Sequence, residues 1–327
     1  MSIQREINMA EALNEAMREE MRRDPTVILM GEDVGVLGGV YGVSKGLLDE
    51  FGAERIRDTP ISEDGFVGAG IGAAITELNP IVEIMYPDFL PCAMNQITNH
   101  MAKIHYMTGG QLTVPLTIRT AIIQGRGSGA DHAQTLIPWF VQTPGLKVVV
   151  PSTPYDAKGL LKTAIRDKAP VMFFETAKLY LIKGPVPEEE YLIPFGEADV
   201  KREGTDLTIV AICNLVREAL EAAEQLEDKE GINAEVIDPR TLVPLDKETI
   251  INSVKKTNKL VVVDNNHLAC GVAAEIAAIV AEDAFDYLDG PIMRVATLQI
   301  PEPVAPPLIK LMLPNKDKIV AAAKKLF

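Results

Sequence analysis

The sequence predicts an α/β protein of two domains, each a mostly parallel sheet flanked by helices. Short apolar runs that suit buried strands alternate with segments in which apolar residues recur at helical spacing. This alternation is interrupted once, where prolines surround three consecutive glutamates at 188–190. The length of 327 residues suits two cores of ordinary domain size. We therefore expect one domain at 1–184, a linker at 185–204 and a second domain at 205–327.

The first domain begins with a helix, which a capping pattern at Asn8 and Glu11 introduces. Apolar runs then predict buried strands, and the segments between them predict helices. The expected strands are 26–30, 81–86, 114–120, 146–150 and 171–174, and the expected helices include 90–107 and 155–166. Strands that alternate with helices pair in parallel, because parallel neighbours need a crossover connection.

The second domain repeats the same alternation without repeating the sequence. Its expected strands are 207–212, 234–238 and 260–264, and its expected helices are 216–226, 271–282 and 316–327. A second, mainly parallel sheet with helices on both faces follows from this order.

The composition limits the partners and the compartment. The formal net charge of −14 argues against nucleic acid or an anionic membrane surface as a main partner. No apolar run reaches the ~18 residues of a membrane span, and the first residues contain no apolar signal core. Cys92, Cys213 and Cys270 show no paired spacing, which fits a reducing compartment and neither a disulfide framework nor a zinc site. We expect a cytoplasmic protein.

The most informative stretch for chemistry is 60–74, which reads PISEDGFVGAGIGAA. Glu63 stands at the start of a predicted helix made almost wholly of small and apolar residues, and such a helix lets backbone or a flat ligand approach closely. A poorly solvated carboxyl at this position can share a proton with a ring nitrogen, which is general acid–base chemistry. In the alternative interpretation, Glu63 is a first-turn glutamate that only favours the helix dipole.

A second candidate is the glycine-rich segment 124–134, which follows a predicted strand and contains His132. Glycine-rich loops often bind phosphate, but this one lacks both the P-loop ending and the dinucleotide fingerprint. A histidine in such a loop can donate a proton near neutral pH. Its position alone equally fits a surface histidine without a function.

Five segments, at 30–34, 58–63, 106–110, 144–149 and 238–242, together resemble one family. The chain resembles the beta subunit of the thiamine-diphosphate-dependent decarboxylase component of 2-oxo acid dehydrogenase complexes, which include pyruvate, branched-chain and acetoin dehydrogenases. The resemblance covers essentially the whole chain. It implies a transketolase-like pyrimidine-binding domain followed by a transketolase C-terminal-like domain. The segments 151–158 and 198–204 are most similar to the acetoin branch.

The resemblance implies roles for individual residues. Glu63 matches the glutamate that protonates the aminopyrimidine ring of thiamine diphosphate, and Phe89 matches the aromatic residue that packs on that ring. His132 matches the histidine that assists proton transfer and the reductive acylation of a lipoyl group. A potassium site, built largely from backbone carbonyls, is implied at Leu116, Ala164, Asp167 and Ala169.

The sequence departs from the family pattern at two positions. The usual His-Ser-Gln is His132-Ala133-Gln134 here, so a hydroxyl beside the histidine is lost. Asn265 stands where many members have a glutamate. Both changes leave the preferred substrate open.

A missing motif implies a partner. The diphosphate and its magnesium ion are normally bound by a Gly-Asp-Gly motif, which this chain lacks. The resemblance therefore implies an alpha subunit that binds this end of the cofactor, an alpha2-beta2 heterotetramer, and an acyltransferase core whose lipoyl group accepts the acyl unit. Two alternatives stay open, namely the C-terminal half of a split transketolase and a non-catalytic assembly subunit.

Overall fold

The structure, a computed structural model, describes residues 5–327, and the chain divides into two compact units. The first unit contains the chain up to Ile123 together with Trp139–Phe195. The second unit contains Gln124–Pro138 and Gly196–Phe327. The division between the units thus falls within the linker expected at 185–204. The segment 124–138, which lies inside the first expected domain, packs with the second unit instead.

The elements of the first unit are β1 (Glu6–Asn8), α1 (Met9–Arg23), β2 (Val27–Gly31), α2 (Leu47–Phe51), β3 (Ile56–Asp58), α3 (Glu63–Ile75), β4 (Asn79–Ile84), α4 (Ile104–Met107), β5 (Thr117–Ile122), β6 (Lys147–Val149), α6 (Pro154–Arg166), β7 (Val171–Thr176) and β8 (Lys183–Pro185). Six of its strands form a parallel sheet in the order β6-β7-β5-β4-β2-β3. A separate antiparallel pair joins β1 to β8. The short helix α5 (Ile137–Val141) lies where the chain returns to this unit.

The predicted continuous helix at 90–107 is wrong. The structure has a 3-10 helix at Pro87–Ala93, a π-helical turn at Gln96–Met101 and then the short α4. Pro91 lies inside the 3-10 helix, and a proline removes a backbone donor and clashes with the preceding turn of an α-helix. Apolar periodicity alone did not reveal this interruption.

Buried charge links the strands of the first unit. Arg119 donates from Nε and Nη2 to the two carboxylate oxygens of Glu175, at 2.7 and 2.8 Å, and from Nη1 to Glu83, at 2.7 Å. Tyr180 Oη donates to Glu175 at 2.7 Å. Burial raises the pKa of Glu83, although Arg119 opposes the shift. Because these groups lie in adjacent strands, their pairing constrains how β4, β5 and β7 pack.

The elements of the second unit are β9 (Asp199–Arg202), β10 (Leu207–Ala211), α7 (Leu215–Glu230), β11 (Ala234–Asp238), β12 (Thr241–Val243), α8 (Lys247–Thr257), β13 (Leu260–His267), α9 (Val272–Asp283), β14 (Met293–Thr297), α10 (Pro306–Met312) and α11 (Lys316–Ala323). Five of its strands form a sheet in the order β14-β13-β10-β11-β9. These strands are parallel except for the edge strand β9, which runs antiparallel to β11. The predicted parallel α/β architecture is therefore confirmed in both units.

Within residues 5–327, no helix combines the length and the apolar character needed to cross a membrane.

Helix α3 packs closely on the sheet through a glycine. A Cβ atom at Gly70 would lie 2.8 Å from Cγ2 of Val82 in β4, which is closer than van der Waals contact allows. At Gly72, no atom of the described residues outside the helix backbone would lie within 4 Å of a Cβ atom. The small residues of α3 therefore serve different purposes on its two faces.

This difference predicts opposite effects of two alanine substitutions. In Gly70→Ala, overpacking against the stiff side chain of Val82 costs about 1–3 kcal/mol and outweighs the gain in helix propensity. In Gly72→Ala, only the propensity gain of up to about 1 kcal/mol remains. Urea unfolding of the two variants should give a lower midpoint for Gly70→Ala and a higher one for Gly72→Ala than for the unaltered chain. Equal midpoints would show that α3 does not depend on this contact.

Candidate functional site

Glu63 is the first residue of α3, and it is buried, with 8% of its surface exposed. The helix begins here because the amide of Phe66 donates to the carbonyl of Ser62 at 3.0 Å. Among residues 5–327, no lysine or arginine forms an ion pair with Glu63. A buried carboxyl without a cation is costly in a folded chain, and such groups concentrate at functional sites.

A second carboxyl, Glu32, lies near Glu63. The pKa of Glu32 is raised, first by burial and then by the negative charges of Glu63 and Asp33. The proximity follows from the sheet, since β2 and β3 pair in parallel with Gly31 opposite Asp58. The sequence alone gives Glu32 no role. Both acidic residues follow the carboxyl ends of adjacent parallel strands, a pattern that is visible only once β3 is known.

The loop after β2 is attached to the segment that leads into α3. The carboxylate of Asp58 accepts hydrogen bonds from the amides of Gly35 and Val36, at 2.6 and 3.1 Å. The apolar side chains around this junction point outward: Val36 is 81% exposed, Leu37 67% and Ile61 83%. Apolar side chains exposed next to a buried carboxyl are typical of a surface that another chain covers.

Phe89 lies in the 3-10 helix Pro87–Ala93, which packs against α3. Its ring is half-buried and packs obliquely against Tyr86, with 5.9 Å between ring centroids. The structure thus places Glu63 and Phe89 on neighbouring elements of the first unit.

His132 belongs to the second unit, in the segment 124–138. Its Nδ1 lies 3.2 Å from Oδ1 of Asp131, and its side chain is 40% exposed. The hydrogen bond from His132 lowers the pKa of the Asp131 carboxyl. An acceptor on Nδ1 directs the opposite nitrogen, Nε2, away from Asp131, which is the usual way a carboxylate orients an imidazole for proton transfer. Asp131 was not predicted as a site residue, although it directly precedes the histidine in the sequence.

The two departures from the family pattern lie in the second unit as well. Ala133 is buried beside His132, where the family has a hydroxyl. Asn265 is 3% exposed and donates from its amide to Oδ1 of Asn214 at 2.7 Å. Its Oδ1 is buried and accepts no hydrogen bond from the described residues.

The four residues of the expected potassium site lie near the start of β5 and β7. The carbonyl of Leu116 accepts from the amide of Val171 at 2.9 Å, and that of Ala164 accepts from Asp167 at 3.2 Å. The Asp167 carboxylate accepts from the amide of Ala169 at 2.8 Å and pairs with a lysine. A carbonyl oxygen has two lone pairs, so the carbonyls of Leu116 and Ala164 can each accept a further contact.

Two family descriptions match the chain. The transketolase pyrimidine-binding domain matches residues 5–182, and the transketolase C-terminal domain matches residues 196–319. These two matches lie on the two sheets described above.

Curated relatives extend over nearly the whole chain. The beta subunit of acetoin:2,6-dichlorophenolindophenol oxidoreductase from Bacillus subtilis is 48% identical, covering 98% of this chain and 97% of the relative. The 2-oxoisovalerate dehydrogenase subunit beta of the same organism is 46% identical, covering 97% of each. The mitochondrial pyruvate dehydrogenase E1 component subunit beta-2 of Oryza sativa is 46% identical, covering 98% of this chain and 86% of the relative.

Among solved structures, a split-gene transketolase described as an inactive beta4 tetramer matches with a TM-score of 0.81. It covers 98% of both chains at 23% identity, which shows the fold alone. The fold is thus that of two transketolase-like domains. By its relatives, the chain belongs to the family of beta subunits of the decarboxylase component of pyruvate, branched-chain 2-oxo acid and acetoin dehydrogenases.

The proximity of Glu32 to Glu63 predicts that the pKa of Glu32 depends on the negative charge of Glu63. Replacing Glu63 with glutamine removes a like charge, so the pKa of Glu32 should fall towards its ordinary value while burial keeps part of the shift. The pKa of Glu32 in each variant can be measured from the NMR shift of its carboxyl carbon across a pH titration. Glu54→Gln removes an equal charge from an exposed residue and should leave the Glu32 titration unchanged. An identical Glu32 pKa in the Glu63→Gln variant would contradict the proximity.

Proposed function

We propose that the chain is the beta subunit of a thiamine-diphosphate-dependent 2-oxo acid or acetoin dehydrogenase. It takes part in the decarboxylation of a 2-oxo acid such as pyruvate, or in the cleavage of acetoin, and in transfer of the acyl unit to a lipoyl group of an acyltransferase component. The observation that carries this proposal is Glu63, a buried carboxyl without a paired cation at the start of α3.

The residues around Glu63 fit the pyrimidine end of the cofactor. The Glu63 carboxyl would share a proton with a ring nitrogen of the pyrimidine, because in a buried site this hydrogen bond replaces lost hydration. Burial and the charges of Glu63 and Asp33 raise the pKa of Glu32, so its carboxyl keeps a proton to a higher pH than an exposed glutamate does. Phe89 would present its ring to the pyrimidine. When bound, thiamine diphosphate supplies the carbon nucleophile for the carbonyl of the substrate.

His132 would act at the acyl-transfer stage. With Nδ1 directed at Asp131, Nε2 is the nitrogen that can give a proton to, or take one from, a bound group. In a lipoyl acceptor, the sulfur that leaves needs such a proton.

An alpha subunit would complete the site. The chain has no Gly-Asp-Gly motif for a diphosphate-bound magnesium ion. The exposed apolar side chains Val36, Leu37 and Ile61 next to Glu63 support a second chain at this surface. We propose an alpha2-beta2 heterotetramer in which thiamine diphosphate is shared and magnesium is held by the alpha subunit. The same proposal includes a potassium ion bound at Leu116, Ala164, Asp167 and Ala169.

The identity values do not choose the substrate. Relatives named for acetoin, 2-oxoisovalerate and pyruvate differ by two percentage points in identity to this chain. The departure at Ala133 lies beside His132, so it bears on the donor or the acceptor rather than on the cofactor.

The test of function is turnover of this chain co-expressed with its alpha subunit. Assays would contain thiamine diphosphate, magnesium and an artificial electron acceptor, and would compare pyruvate, branched-chain 2-oxo acids and acetoin. We expect activity with one of these classes. An intact heterotetramer that is inactive with all three but active with sugar phosphates would favour the split-transketolase alternative.

A substitution separates catalysis from assembly. Glu63→Gln keeps the size of the side chain and removes its proton exchange, so we expect kcat to fall by about 10²–10⁴-fold while the heterotetramer still forms. The control is Asp64→Asn, which makes an equal charge change in the same helical turn at an exposed position. Its kcat should be close to that of the unaltered chain. Normal turnover in both variants, with assembly intact, would instead support a non-catalytic assembly subunit.

A further inference from the structure

Three consecutive residues at the carboxyl end of β13, Asp264, Asn265 and Asn266, form a buried polar cluster in the second unit. They are 0%, 3% and 3% exposed. Oδ2 of Asp264 accepts from the amide of Ala273 in the first turn of α9, at 2.9 Å. Its Oδ1 accepts from the backbone amide and the side-chain amide of Asn266, at 2.9 and 2.7 Å. Asp264 thereby fixes both the start of a helix and the side chain that follows.

The carboxylate of Asp264 determines which way the amide of Asn266 faces. A carboxylate only accepts hydrogen bonds, so the Asn266 NH₂ group must point at it. The Asn266 Oδ1 then points the other way, where it accepts a hydrogen bond from the hydroxyl of Thr135. Thr135 is 6% exposed and lies at the end of the glycine-rich segment, three residues after His132.

The start of the same segment is attached to the neighbouring residue of the cluster. Gln124 donates from Nε2 to the backbone carbonyl of Asn265 at 3.1 Å, and Thr297 Oγ1 donates to that carbonyl at 2.6 Å. The next amide, of Gly125, donates to the buried carboxylate of Glu302, at 2.8 Å to its nearer oxygen. Both ends of the His132 segment are therefore held by residues of the second unit.

The segment between these attachments needs such restraint. Gly125, Gly127 and Gly129 adopt φ values of +85°, +76° and +90°, and glycine has more backbone freedom to lose than any other residue. The side chain of His132 is partly exposed, so burial alone does not fix it. Hydrogen bonds at the two ends limit where the imidazole can lie.

We propose that Asn266, oriented by Asp264, is a positioning residue that holds Thr135 and, together with the attachments of Gln124 and Gly125, fixes the segment that presents His132. The effect on catalysis rests on the function proposed above, whereas the effect on the order of the segment does not. Nothing in the relatives' names bears on these residues.

The test uses two substitutions of one side chain in the full chain. Thr135→Val keeps the shape of the side chain and removes the donor, whereas Thr135→Ser keeps the donor. Amide hydrogen exchange of 125–134 should become about 3- to 10-fold faster in Thr135→Val, the change expected for the loss of one hydrogen bond, and should be unchanged in Thr135→Ser. Asn266→Ala should reproduce the Thr135→Val result.

The control is Thr208→Val, which removes another buried threonine hydroxyl of the second unit. Oγ1 of Thr208 bonds Ser253 and Thr257, away from the His132 segment. Exchange of 125–134 should be normal in this variant. The proposal would be overturned if amide exchange of 125–134 became equally faster in Thr208→Val, or did not become faster in Thr135→Val.

Activity gives the second readout in the complex with the alpha subunit. A misplaced imidazole should lower kcat by roughly tenfold in Thr135→Val with KM changed less than about twofold, and Thr135→Ser should restore kcat. The proton NMR signal of the His132 ring should shift in Thr135→Val and return in Thr135→Ser. Loosened exchange without any change in kcat or in the ring signal would show a structural role only. If the unaltered complex has no activity with any 2-oxo acid or acetoin, the proposed function fails while the exchange result still decides the role of Asn266.

Discussion

The parallel pairing of strands in register is the constraint on which the candidate site depends. Because parallel strands end at the same edge of a sheet, residues that follow them in the sequence become neighbours in space. In the first unit, Gly31 lies opposite Asp58, and Glu32 and Glu63 follow these positions. In the second unit, β13 ends in the cluster that holds the segment around His132. A register shift would separate both sets of residues.

Buried polar groups reinforce that constraint in each unit by different means. In the first unit, a full charge, Arg119, joins Glu83 and Glu175 across three adjacent strands. Loss of one partner would leave a buried charge unpaired and destabilise the fold strongly. The three groups therefore favour a single arrangement of β4, β5 and β7. In the second unit, Asp264 orders backbone and side-chain amides around it, and within residues 5–327 none of its hydrogen-bond partners is a cation. Here the restraint acts on a loop rather than on the sheet.

Glu63 and His132 are held by different means, each within its own unit. Glu63 lies on a helix that packs closely on the sheet through Gly70, so its carboxyl is fixed by the fold. His132 lies on a glycine-rich segment whose two ends are held by hydrogen bonds within the second unit. Under the proposed function, the fixed carboxyl suits a proton shared with a ring nitrogen, and the restrained segment suits transfer to an acceptor that enters and leaves.

The sequence by itself determined the fold class, most buried strands and the residue types at the site. Strand 234–238 and the strand beginning at Val171 coincide with the structure, because continuous apolar runs bounded by polar residues leave little choice. The edge strands β3, β9 and β14 were not predicted, since their side chains are partly or largely exposed and form no apolar run. The interruption of the helix after β4 was not predicted either, because apolar periodicity does not show which backbone hydrogen bonds form.

Only the tertiary structure decided which residues meet. Glu32 became part of the candidate site through the pairing of β2 with β3, and β3 itself was not predicted from the sequence. The segment 124–138 lies inside the first domain by chain order but packs with the second unit, because its hydrogen-bond partners, from Asn265 to Glu302, are more than a hundred residues away. Local pattern specifies secondary structure and chemistry, whereas contacts between distant residues depend on register and burial that no short segment encodes.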